Sequence, residues 1–293
     1  APYLPNTIFA EPLLVNLDRS TAKLYNIIAD DLSKDLELAL DSFGSSFDLF
    51  SHYSGNDEGP KNELKGKIMS KLTALRMLCD HPSLLKISAE SYVPGSGKGS
   101  KYAADLNEQD LLKGVTKAPK LEVLKHYVHD FLDEFEGNKI VIFTSYVSMV
   151  DIIKDSLDYK STTYTGQMNA KDKQASKLYF QNDPSCRIFI SSDAGGYGVD
   201  LPNANLLINY DIPWNAGLAL QMNGRIRRAS STWERIVIQD ILIKGSIEER
   251  QHDMLLQKNS VADAVLDGEG IDEAGEIKLS VGSLKGFLQG AMV

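Results

Sequence analysis

A chain of 293 residues, 43% hydrophobic and 24% charged, has the material for one large domain, or for one divided into two close halves. No apolar run approaches the ~18 residues of a membrane-spanning helix, and the opening Ala1-Pro2-Tyr3-Leu4-Pro5 lacks the basic start and apolar stretch of a signal peptide. The 31 basic against 40 acidic residues leave a net charge of −9, which excludes a broad basic field.

In chain order, Leu24, Ile27, Ile28, Leu32 and Leu36 recur at helical spacing and predict a helix over 17–40. Residues 41–60, rich in Ser, Gly and Asp, read as a loop. Leu64, Ile68, Leu72, Leu75 and Leu78 predict a second helix, stopped at His81-Pro82 because the residue before proline is pushed out of the helical region. Residues 91–117, containing PGSGKGSK, read as a linker or mobile loop. Leu124, Tyr127, Val128, Phe131, Leu132 and Phe135 form the next helical stripe, closed by Gly137-Asn138.

The pattern then changes. Lys139–Phe143 (KIVIF), residues 161–164, Arg187–Ser192 (RIFISS), Asn205–Tyr210 (NLLINY) and Ile236–Ile243 (IVIQDILI) read as strands, the apolar ones buried on both faces. Helices are expected between them, including 216–228, and Ser246 with Glu249 forms a capping box for a last helix. The alternation predicts an α/β fold, a doubly wound parallel sheet over 118–258, preceded by a helical section over 1–90 and followed by an acidic extension over 259–293. Ligands of such sheets sit at the carboxyl ends of the strands.

The acidic charge is unevenly spread. Residues 29–58 carry −7 and residues 261–293 carry −4, which leaves +2 on the remainder, room for a local phosphate-binding strip. Cys79 and Cys186 lie far apart in apolar runs and read as buried free thiols. No metal site is expected, since no His or Cys cluster has ligand spacing.

Two segments carry chemistry. Ser191-Ser192-Asp193-Ala194-Gly195-Gly196-Tyr197-Gly198-Val199-Asp200-Leu201 follows a strand, and its glycines let backbone amides approach a phosphate. Gln221-Met222-Asn223-Gly224-Arg225-Ile226-Arg227-Arg228 sets Arg225 and Arg228 at i, i+3, so on a helix both guanidinium groups share one face as a polyphosphate clamp. Each segment alone also fits a plain turn or a solvated basic face.

Their order along the chain resembles the carboxy-terminal RecA-like lobe of the Swi/Snf-type helicase-like ATPases of superfamily two. Leu75-Arg76-Met77-Leu78-Cys79-Asp80-His81-Pro82 is similar to that family's L-R-x-x-C-x-H-P segment, and Lys120-Leu121 to its S-x-K-L lead-in with Ala118 for the serine. Phe143-Thr144-Ser145-Tyr146 resembles motif IV, Tyr164-Thr165-Gly166 the next short motif, and Ser191–Leu201 motif V. Asp211-Ile212-Pro213-Trp214-Asn215 resembles D-x-x-W-N, and Gln221–Arg228 motif VI. Asp200 stands where the family usually has Asn, Arg227 where it has His, and Ala229-Ser230-Ser231 breaks the usual R-x-G-Q ending.

The resemblance implies a motor lobe of a double-stranded DNA translocase or remodeller, intracellular, cytoplasmic if bacterial or phage and nuclear if eukaryotic. It implies Arg228 as arginine finger and Arg225 as a second phosphate-facing arginine. Gln221, Gly196, Gly198 and Asp200 would serve the nucleotide, and Thr144, Ser145, Thr165, Gly166, Ser191 and Ser192 the DNA phosphates. ATP with Mg²⁺ would be held mainly by an amino-terminal helicase lobe of the same parent. Lys98 is followed by Gly99, with Tyr92 at the first P-loop position, so PGSGKGS is not a phosphate loop. Asp57-Glu58 follows no apolar strand and is not the acidic box. With neither of these, and no initiator Met, the chain reads as a segment inactive alone. A strand-separating superfamily-two DNA or RNA helicase lobe and a stand-alone interaction module are the alternatives.

Overall fold

The computed structural model describes residues 4–44, 59–192, 199–213 and 216–266, with Leu284 and Leu288. Its elements are β1 (Asn6–Phe9), β2 (Leu13–Val15), α1 (Arg19–Phe43), α2 (Pro60–Asp80), α3 (Pro82–Glu90), α4 (Lys101–Glu108) and α5 (Pro119–Glu134), followed by β3 (Ile140–Thr144), α6 (Val147–Ser156), β4 (Ser161–Tyr164), α7 (Ala170–Asn182) and β5 (Ile188–Ser192). β6 (Leu206–Asn209), α8 (Ala216–Asn223), β7 (Arg235–Ile243) and α9 (Ile247–Leu266) complete it. The chain divides into two compact units, the first holding the described residues of 4–15 and 120–242, the second those of 16–119 and 243–269.

The first unit is built on the sheet, in strand order β1-β7-β6-β3-β5-β4, with β2 also paired to β7. The pairings of β3 with β5 and β6, of β4 with β5, and of β7 with β6 and β1 are all parallel. Every residue of β3, β5 and β6 is buried, as expected of strands covered on both faces. Alternation splits them: Val141, Phe143, Phe189 and Leu207 join Phe180, Met222 and Ile226 in one core, and α6 packs against β3 and β5. Phe180 and Tyr164 lie 5.3 and 5.6 Å from the Phe189 ring centroid. Arg187 closes the end of α5, its guanidinium donating to the carbonyls of Leu132 (2.6 Å), Phe135 (2.7 Å) and Asn138 (3.0 Å).

β1 and β2 have no counterpart among the elements read from the sequence. Four residues with Ile8 and Phe9 exposed carry no strand period of their own, and they extend only because the edge of β7 offers its ladder.

In the second unit His81 explains the L-R-x-x-C-x-H-P segment. Its amide ends α2 on Met77 O, and its Nδ1 accepts from Ser83 N (3.1 Å) to cap α3, with Pro82 at the first helical position. Burial, then Lys86, lowers the His81 pKa and keeps that nitrogen an acceptor. Ser246 Oγ accepts from Glu248 N (3.1 Å), while Glu249 reaches Gly245 N (2.6 Å), one residue short of the reciprocal bond expected. Tyr25 Oη ties α1 to α9 by accepting from Ile247 N at 2.8 Å. Both cysteines are buried and outside any disulfide, and desolvation raises the Cys186 thiol to about 11.

Within 91–117 lie a bridge between Val93 and Lys98 and the helix α4, whose first turn Ser100 Oγ caps at Ala103 N. Gly97 and Gly99 both have positive φ, at 69° and 67°. A Cβ on Gly97 would meet open space, whereas one on Gly99 would collide with Ser88 O and Tyr92 N. Gly99→Ala is therefore expected to cost about 2–3 kcal/mol and Gly97→Ala about 1 kcal/mol. Urea midpoints check this, and equal losses at the two positions would show that Gly99 is not a close approach.

Candidate functional site

The first cluster of predicted residues lies at the carboxyl ends of β3, β4, β5 and β6, where helix starts and turns leave backbone groups to be paired. Asp211, 2% exposed just beyond β6, organises the first cluster. Its Oδ2 accepts from Thr144 Oγ1 (2.7 Å) and Ser145 N (2.8 Å), and its Oδ1 accepts from Ser145 Oγ. The register that sets Phe143 beside Asn209 brings the two segments together. Thr144 is fully buried and spends its hydroxyl on Asp211, while Ser145 keeps some of its surface. Ser191 and Ser192 are buried beneath the sheet end, Ser191 Oγ donating to Ser192 O at 3.2 Å. Thr165 is also buried, its amide donating to Met168 Sδ at 3.3 Å, and Gly166 beside it is exposed. Of the six residues expected to face DNA, Ser145 and Gly166 thus reach the surface and the other four line its floor.

The second cluster surrounds a cavity of about 400 Å³ lined by Val199, Leu220, Gln221, Gly224, Arg225 and Arg228. α8 ends at Asn223, short of the helix expected through 228. Gly224 weakens the helix there, and the Arg225 carbonyl is taken by Leu201 N (3.0 Å). The two arginines therefore do not share a helix face. Arg225 is 4% exposed, its guanidinium carbon 5.3 Å from the Phe143 ring centroid and its Nη1 3.5 Å from Val199 O. Arg228 emerges at the cavity, its side chain 43% exposed and its Nη2 2.6 Å from Asp200 Oδ1. Gln221 is exposed on the rim, and Gln181 Nε2 holds Asp200 O at 3.2 Å. Gly196, Gly198, Trp214 and Asn215 lie outside the described residues.

Sequence reasoning missed Gln181 and gave no role to two residues it quoted only within motifs, Asp211 as a buried acceptor and Lys120, fully buried with its ammonium 4.9 Å from the Tyr210 ring centroid. The signal for Asp211 was an acid directly after the apolar run NLLINY, a carboxylate that must find donors.

Residues 119–230 match the family described as helicase conserved C-terminal domain. The chromatin-remodeling ATPase INO80 of Saccharomyces cerevisiae (strain YJM789) is 26% identical over 172 residues, 57% of this chain and 11% of that protein. The chain thus spans about a tenth of such a relative. Among solved structures, the Sulfolobus solfataricus SWI2/SNF2 ATPase C-terminal domain aligns over 90% of this chain and 91% of its own, with a TM-score of 0.57 at 23% identity. The SWI2/SNF2 ATPase core of that organism in complex with dsDNA aligns over 89% of this chain and 46% of its own, with a TM-score of 0.60 at 24% identity. The shared fold is the RecA-like one. No helix among the described residues is long and apolar enough to cross a membrane.

Proposed function

We propose, from the premise that this chain is a carboxy-terminal RecA-like helicase lobe of the Swi/Snf type, that it serves as the second motor lobe of an ATP-dependent double-stranded DNA translocase or remodeller. The observation that carries the proposal is Arg228, a cation at the mouth of a cavity, held by a carboxylate on one side and open on the other. A guanidinium so placed can meet charge that develops on a transferring phosphoryl group supplied from a facing lobe. Arg225, buried under Phe143, supports the cavity wall and orients the turn that presents Arg228.

ATP with Mg²⁺ would supply the phosphoryl chemistry, and this chain fits the arginine side of that shared site. Asp200 and Gln221 flank the finger. Ser145 and Gly166 would meet DNA phosphates, on a floor fixed by Thr144, Asp211, Thr165, Ser191 and Ser192. Such contacts are neutral and carry no sequence readout. The dsDNA complex of a structural neighbour and the remodelling ATPase among the relatives support this reading.

Complementation tests it. Residues 1–293 are expected to release no phosphate from ATP alone, with or without duplex DNA, and to support DNA-stimulated turnover once joined to the P-loop lobe of the parent. Duplex binding by the chain alone should be sequence-indifferent, with Kd in the ~10⁻⁴–10⁻⁶ M range of non-specific association. Turnover by the isolated chain, or a joined protein that ignores DNA, would overturn the assignment.

A further inference from the structure

In this acidic protein residues 165–182 hold three lysines, Lys171, Lys173 and Lys177, against one acid, Asp172. Several lysines on other helices pair with carboxylates, as Lys67 with Glu63 (2.7 Å), Lys71 with Asp35 (2.7 Å) and Lys125 with Glu122 (3.3 Å). Among the described residues none of the three α7 lysines has such a partner, and the Asp172 carboxylate instead accepts from Asn169 Nδ2 at 2.7 Å. Lys173 and Lys177 lie on one face of α7, about 6 Å apart along its axis. Their stems are half-buried beside the Phe180 core, and the Lys173 ammonium sits 5.6 Å from the Tyr164 ring centroid. That face begins at the turn carrying exposed Gly166. It continues to Gln181, which bonds Asp200 O and so touches the segment that pairs with Arg228.

We propose that the α7 face bearing Lys173 and Lys177, with Lys171 on its exposed flank, is a docking strip for successive backbone phosphates of duplex DNA. The inference rests on the motor-lobe reading and adds the cations that reading lacks, since the contacts placed so far are hydroxyls and amides. The partner chemistry is a line of phosphates because the strip offers ammonium groups at a fixed pitch along one helix face. The helix amino terminus, capped by Asn169, adds partial positive charge at the same end.

The test is duplex binding by the 293-residue chain, read by fluorescence anisotropy with a labelled duplex of mixed sequence between about 50 and 200 mM salt. Removing a single lysine–phosphate pair should lower the slope of log K against log salt by about 0.9. Lys173→Gln with Lys177→Gln is expected to lower it by about 1.8 and to weaken low-salt binding about tenfold. Lys171→Gln, on an exposed position that cannot disturb folding, should lower it by about 0.9. Lys173→Arg with Lys177→Arg should keep the slope, and Lys125→Gln with Lys154→Gln, the same charge loss elsewhere in this unit, should also keep it. Unchanged slopes in the α7 variants, or equal losses in the Lys125/Lys154 control, would overturn the strip while leaving the motor-lobe reading intact. A wild-type chain with no salt-dependent duplex binding would overturn both.

Discussion

On the proposed motor-lobe reading, Arg228→Ala in a two-lobed protein is expected to abolish DNA-stimulated ATP hydrolysis while ATP affinity stays within about tenfold, because a finger would act on charge that appears only in the transition state. Fingers in established phosphoryl-transfer enzymes contribute roughly 10³–10⁵ in rate. The loss should be kinetic alone, for Arg228 is half-exposed and its pair with Asp200 sits in solvent. Arg228→Lys should rescue poorly, since an ammonium lacks the planar fork. Arg227→Ala, at an exposed neighbouring position, should be mild. Arg225→Ala should behave differently from both, lowering the melting temperature, because it empties a buried site against Phe143. Steady-state ATPase at saturating duplex, with melting curves of the same variants, separates these outcomes. A dead Arg227→Ala beside an active Arg228→Ala would move the finger by one position.

The second large effect is expected at Asp211. Its removal strips the acceptor from the fully buried Thr144 hydroxyl and takes two bonds from the half-buried Ser145. Asp211→Ala should cost about 3 kcal/mol, and Asp211→Asn, which keeps one carbonyl acceptor, about 1–2 kcal/mol. Urea unfolding should show the midpoint falling with the slope unchanged. The alanine variant should also lose duplex affinity in the joined protein, because Ser145 then loses both of its bonds to the carboxylate. An alanine variant as stable as the wild type would show that the hydroxyls find other partners and that Asp211 is not the organiser.

Much of the fold follows from pattern alone. KIVIF, RIFISS, NLLINY and IVIQDILI became β3, β5, β6 and β7 within a residue or so, because a strand buried on both faces must be apolar throughout and few other structures tolerate that. His81-Pro82 marked the break between α2 and α3, since the constraint that proline places on its neighbour is local. Asp200, Arg225 and Arg228 come together through direct contacts, Arg228 with Asp200 and the Arg225 carbonyl with Leu201 N, which the order of motifs along the chain does not announce.

Tertiary structure decided the rest, and in each case a distant group made the difference. β1 exists because β7 has a free edge, and no property of Asn6–Phe9 announces it. Beyond the end of α8 at Asn223 Leu201 holds the Arg225 carbonyl, and the two arginines of one apparent helix face point inward and outward. Thr144, Ser191 and Ser192 carry the hydroxyls a phosphate would want, yet the sheet buries them, and Asp211, 67 residues beyond Thr144, holds the first. Periodicity reports which side of an element is apolar. Whether a polar side chain meets solvent or a buried partner depends on which strand end lies beside it, and that is settled only when the strands are paired.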